Sequence, residues 1–166
     1  MIRAIFLDVD GTLISFSTHE IPASALRALA QAHERGVRLF IATGRAANDL
    51  GPLEGILYDG VVSLNGARCV ANDGRVVSLH PIPRADFERA LALSEEQDFA
   101  MGLELEEGVF VNRVTPDVKR VAHMVAHPVP EQTDLRELFG RVECCQLCFY
   151  FDAETQRRVM AELPTL

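Results

Sequence analysis

The sequence predicts an α/β fold, a parallel unit of three strands with helices followed by an antiparallel α+β unit. Three observations predict it. Short apolar runs without alternation, Ile2 to Leu7, Val37 to Ala42 and Val61 to Leu64, read as strands of a parallel sheet buried on both faces. Helical segments separate them, at the spacing of right-handed strand–helix–strand crossovers. After Gly66 the pattern changes to strand-like pieces divided by turn signals, the mark of antiparallel pairing.

Each element follows from its residues. Pro22 to Arg35 places Leu26, Leu29, Ala30 and His33 on one helical stripe, with Pro22 near its start and Gly36 just past its end. A weaker helix is expected from Ala46 to Leu57, interrupted by Gly51-Pro52. Ala67 to Ala71 and Arg75 to His80 flank Asn72-Asp73-Gly74, a hairpin signal. A helix from Ala85 to Gln97 precedes strands at Ala100 to Leu105 and Gly108 to Arg113. Helix Pro116 to Ala126, strand Val142 to Phe151 and helix Ala153 to Leu163 complete the chain. The change of pattern sets the expected domain boundary after residue 65, giving units 1–65 and 66–166.

Composition narrows the function. With 166 residues, 48% hydrophobic and 24% charged, the chain has the balance of a globular protein and not of a disordered one. A net charge of −8 argues against a nucleic-acid backbone as partner, because such binding needs a surplus of Lys and Arg. No apolar run is long enough to cross a membrane, and the N-terminal segment has carboxylates where a leader would have a cleavage site. The expected location is the cytoplasm. Cys145 and Cys148 match C-x-x-C, but no second pair lies nearby to complete a metal site, and the segment reads as a strand. Strand alternation puts Cys144 and Cys148 on one face, so the expectation is reduced, buried or half-buried thiols. His123 and His127 share a helix face without a third ligand, and Glu104, Glu106 and Glu107 read as a solvated run.

The chemistry concentrates at Asp8-Val9-Asp10-Gly11-Thr12, directly after the first strand. Residues two apart share a side of an extended chain, so both carboxylates can face one point while Val9 packs inward. Ligands of open α/β sheets bind beyond the carboxyl ends of the strands. Two adjacent carboxylates need a cation or a shared proton to coexist there. The pattern therefore suggests a divalent-metal site with one nucleophilic and one acid/base carboxylate. An Asp-Gly turn of no function is the plain alternative. A calcium-binding EF-hand loop from Asp8 fails because its sixth position is Leu13, and no P-loop pattern occurs.

FLDVDGTL, IATGR and SLNGARCV together resemble the haloacid dehalogenase superfamily, in its Cof-type phosphatase branch with an inserted cap. The resemblance implies a Rossmann-like core, here its first three parallel strands in residues 1–65, and an α+β cap, incomplete, in 66–166. It implies Mg²⁺-dependent hydrolysis of small phosphorylated metabolites through an aspartyl-phosphate. Asp8 would be the nucleophile and a metal ligand. Asp10 would protonate the leaving oxygen, then activate water, its main-chain carbonyl also meeting the metal. Thr43, Gly44 and Val9 would hold phosphate oxygens. Arg45 and Asn65 either reach the substrate or serve as a surface charge and a hinge turn.

The chain departs from the family pattern in two places. A Lys and a late acidic pair are expected after the cap, whereas the chain's one lysine, Lys119, falls within it, and Asp134, Asp152 and Glu154 lack the acidic motif's context. The sequence ends before the cap's closing strands are expected. The alternative reading is thus a catalytically impaired fragment that acts, if at all, by association. Its first strand, left as a hydrophobic edge, would favour a homo-oligomer. A phosphoacceptor receiver domain is disfavoured, since Leu64-Asn65 stands where the accepting Asp would be.

Overall fold

In the computed structural model, which describes residues 2–15, 17–18, 20–53, 55–125 and 127–162, the chain divides into one unit ending at His80 and another beginning at Pro81. The first unit holds a five-stranded sheet in the order β1 (Ala4–Leu7), β2 (Arg38–Ala42), β3 (Gly60–Ser63), β4 (Arg68–Ala71) and β5 (Val76–Leu79). The first three strands run parallel, as their unalternating apolar runs predict. Helix α1 (Ala23–Glu34) makes the first crossover. Its half-buried residues are Ala25, Leu29, Ala32 and His33, so the inward stripe keeps Leu29 and His33 but leaves Leu26 and Ala30 exposed. Val9, Leu13, Ile14, Ile41, Leu50, Leu53 and Val61 form the core, with Leu7, Ile21 and Leu29 packed on it.

Three expectations about this unit are corrected. Among the described residues of 46–57 no α-helix forms; a short 3-10 turn at Gly51–Leu53 stands among irregular segments, since Pro52 lacks the amide a helix would use. Leu50 and Leu53 reach the core without it. The hairpin belongs to the first sheet, so the boundary lies after His80 and not after residue 65. Leu64, Asn65 and Gly66 have φ of 49°, 54° and 94°, and this left-handed run reverses the chain so that β4 pairs antiparallel with β3. β1 stands at the edge of the sheet, as expected, and exposes Phe6, so only the reading of its apolar run as buried on both faces is corrected. The Phe6 ring lies 4.8 Å from that of Phe40, its register partner on β2.

The second unit carries a four-stranded sheet in the order β8 (Glu131–Gln132), β7 (Gly108–Val111), β6 (Ala100–Leu105), β9 (Gln146–Tyr150). Helices α2 (Arg84–Glu96), α3 (Pro116–Met124), α4 (Leu135–Phe139) and α5 (Ala153–Glu162) complete it. Phe87, Leu91, Met101, Leu103, Leu105, Leu135 and Cys144 make its main core. α4 and β8 were not legible in the sequence. Asp134 starts α4 by accepting the Arg136 and Glu137 amides at 2.9 and 3.0 Å.

The last strand begins at Gln146, four residues later than expected, so Cys144 and Cys145 precede it. All four cysteines are thiols, Cys144 buried and the others half-buried. α3 ends at Met124, so His127 does not share a helix face with His123; Ala126, the expected end of that helix, and Leu163, that of α5, lie outside the described residues. Glu104 is not solvated: half-buried on β6, it bonds Gln146 and accepts the Cys148 thiol at 3.6 Å.

Candidate active site

Asp8 is the first residue past β1, and its carbonyl accepts the Leu13 amide at 3.3 Å. The Val9 carbonyl accepts the amides of Thr12 and Ile14 at 3.3 and 2.9 Å, and Gly11, at φ 77°, donates to the Ile14 carbonyl at 2.8 Å. This tight loop turns the chain with Val9 1% exposed while Asp8 and Asp10 face outward, the arrangement that two-residue spacing predicts. The Thr12 hydroxyl donates to Asp8 Oδ2 at 3.1 Å, fixing the carboxylate.

Thr43 is the first residue past β2 and is buried. Its amide continues the ladder to the Val62 carbonyl at 2.9 Å, and its own carbonyl accepts the Asn65 amide at 3.1 Å. Its Oγ1 accepts the Arg45 amide at 3.1 Å, which leaves the hydroxyl proton to donate. Asp8, Thr43, Gly44 and Asn65, with Ala42, Val62 and Gly66, line a cleft of about 270 Å³ at the carboxyl ends of the parallel strands. A Cβ on Gly44 would lie 3.2 Å from Asn65 Oδ1, so only glycine lets the wall close this tightly without moving the Asn65 side chain.

Asp10 and Arg45 stand outside that lining. The Arg45 guanidinium grips the Asp10 carboxylate with two bonds, Nε to Oδ2 and Nη2 to Oδ1, both 2.8 Å. Its Nη1 donates to Asp49 Oδ2 at 3.2 Å and to the Asp49 carbonyl at 3.3 Å. The hydrogen bonds that Arg45 donates to Asp10, with the charges of Asp10 and Asp49, outweigh partial burial and raise the Arg45 pKa above its usual value. Sequence reasoning missed Asp49 and the walls Ala42, Val62 and Gly66. The spacing of Arg45 and Asp49 was the available signal for the first, although in this irregular loop it is not a helical pair.

The profile of the haloacid dehalogenase-like hydrolases matches residues 5–166. The chain belongs to that family. BT1666 of Bacteroides thetaiotaomicron, a phosphatase of the same superfamily, is 53% identical and superposes with a TM-score of 0.90, over 97% of this chain and 60% of its own. The subclass IIB sugar phosphatase BT4131 is 30% identical with a TM-score of 0.82, over 98% of this chain and 64% of its own. YkrA of Bacillus subtilis strain 168 is 30% identical over 95 residues, 57% of this chain and 36% of that protein. The chain thus spans less than two thirds of these relatives. The chain has the α/β core of that family, and among the described residues no helix is long and apolar enough to cross a membrane.

Proposed function

We propose that this chain carries the nucleophile half of an Mg²⁺-dependent phosphomonoesterase acting on small phosphorylated metabolites in the cytoplasm. One observation carries the reading: the Asp8 carboxylate and the Thr43 hydroxyl share one cleft at the ends of adjacent parallel strands. The likeness to BT4131, itself a sugar phosphatase, makes sugar phosphates the first substrates to try.

The donor set suits Mg²⁺, which keeps several waters and needs only one or two protein carboxylates beside a substrate phosphate. Asp8 and the Asp10 main-chain carbonyl would hold it; among the described residues no group of three or more acidic, His or Cys side chains forms a closed cage. When bound it offsets repulsion between the phosphate and Asp8. The Thr43 hydroxyl and the amides of Val9, Asp10 and Gly44 hold the phosphate oxygens. Asp8 attacks phosphorus, the ester P–O bond breaks, and the Asp10 carboxyl gives its proton to the departing oxygen. Water then gives a proton to Asp10 and attacks phosphorus, and cleavage of the acyl-phosphate frees phosphate and Asp8.

The test is hydrolysis of 4-nitrophenyl phosphate with Mg²⁺ by the wild type and by Asp8→Asn. The expected loss is about a thousandfold or more, because an amide does not attack phosphorus. A variant keeping more than about a tenth of the rate overturns the covalent mechanism.

A further inference from the structure

Arg45 follows the strand-end threonine, where an arginine is easily read as a phosphate ligand. The structure shows its guanidinium otherwise engaged. Both of its Asp10 bonds are 2.8 Å, and the third nitrogen is tied to Asp49. The side chain is 22% exposed, and the Arg45 carbonyl accepts the Leu64 amide at 3.1 Å, anchoring the backbone as well. A planar fork that meets both carboxylate oxygens fixes direction as well as distance. Asp49 fixes the fork in turn.

We infer that Arg45 is a positioning residue for Asp10 and not a ligand of the substrate, an inference that rests on the phosphatase reading above. The loop 8–14 orients the Asp10 backbone through its amide hydrogen bonds, and the Arg45 fork fixes the direction of the Asp10 carboxylate. Each carboxylate oxygen has two lone pairs, so a fork taking one from each still leaves capacity to exchange a proton with the leaving oxygen or with water. Asp49 sets the fork from a segment that is neither helix nor strand, which explains why this irregular stretch matters to the site.

The experiment is a double-mutant cycle in the 166-residue chain, using R45Q, D10N and the double variant with 4-nitrophenyl phosphate and Mg²⁺. R45Q is expected to lower kcat about 10- to 100-fold with KM changed less than about twofold, the size of a misplaced acid/base group. In the D10N background the same change should cost less than about twofold, since the group it positions is gone. Losses that multiply, or a tenfold rise in KM, would show that Arg45 meets the substrate directly and overturn the inference while leaving the phosphatase reading intact. Wild-type turnover that persists undiminished in D8N overturns the phosphatase reading and this inference with it. Circular-dichroism melts check folding. If R45Q fails to fold, R45K replaces it: it keeps the charge but not the fork, and is held to the same kcat and cycle criteria.

Discussion

Replacing Thr43 with valine separates what the side chain does for the fold from what it does in the cleft. Valine keeps the shape and removes the hydroxyl. Thr43 is 6% exposed, and its oxygen accepts the Arg45 amide at 3.1 Å. Without that acceptor a part-buried N–H loses its partner, at about 1–3 kcal/mol. The added methyl recovers about 0.8 kcal/mol through burial. The expected net loss is about 1–2 kcal/mol, read as a lower urea midpoint at unchanged slope. On the proposed phosphatase reading the same change removes a donor to a phosphate oxygen, and the rate on 4-nitrophenyl phosphate should fall about 100- to 1000-fold. Thr43→Ser keeps both bonds and should stay near wild type on both measures. A valine variant within about 0.5 kcal/mol of wild type and within about threefold of its rate would refute the assignment on both counts.

Other outcomes follow from the packing and the buried thiols. Gly60→Ala should destabilise the first unit by about 1–3 kcal/mol in urea unfolding, because its Cβ would sit 2.8 Å from the Val70 carbonyl oxygen, which cannot swing aside as a side chain would; an unchanged midpoint would show that the sheet opens there at no cost. Burial, then the charge and hydrogen bond of Glu104, push the Cys148 thiol up to about 12, and burial with the nearby Cys148 raises Tyr150 too. The folded chain therefore holds these protons where the unfolded chain releases them, from about pH 8.5 upward. Stability should be flat below that pH and fall as pH rises toward 12, more shallowly in Cys148→Ala, and a rising urea midpoint between pH 9 and pH 11 would contradict it. Along the open edge of β1, Ile2 is 71% and Phe6 61% exposed, so light scattering should show self-association that Phe6→Lys weakens; a wild type that stays at monomer mass on concentration would refute it.

Features that rest on neighbouring residues are readable along the chain. The apolar runs before Asp8 and Thr43 place both at strand ends, and two-residue spacing turns Asp8 and Asp10 outward with Val9 inside. Helical periodicity with Pro22 and Gly36 bounds α1, and Asn72-Asp73-Gly74 marks the hairpin. Features that depend on residues far apart in the chain emerge once the strands have paired. The hairpin reads locally as the start of a new unit, yet the left-handed turn at Leu64, Asn65 and Gly66 folds β4 back along β3 and adds it to the first sheet. Glu104 reads as a solvated charge until β9 brings Gln146 and Cys148 against it. Arg45 is the plainest case. Its partner Asp10 lies on another loop, joined to it only because β1 and β2 pair in parallel and bring their carboxyl ends together. Hydrogen-bonding capacity is written in the side chain, but the choice between a phosphate and a carboxylate is made by what the fold sets within reach.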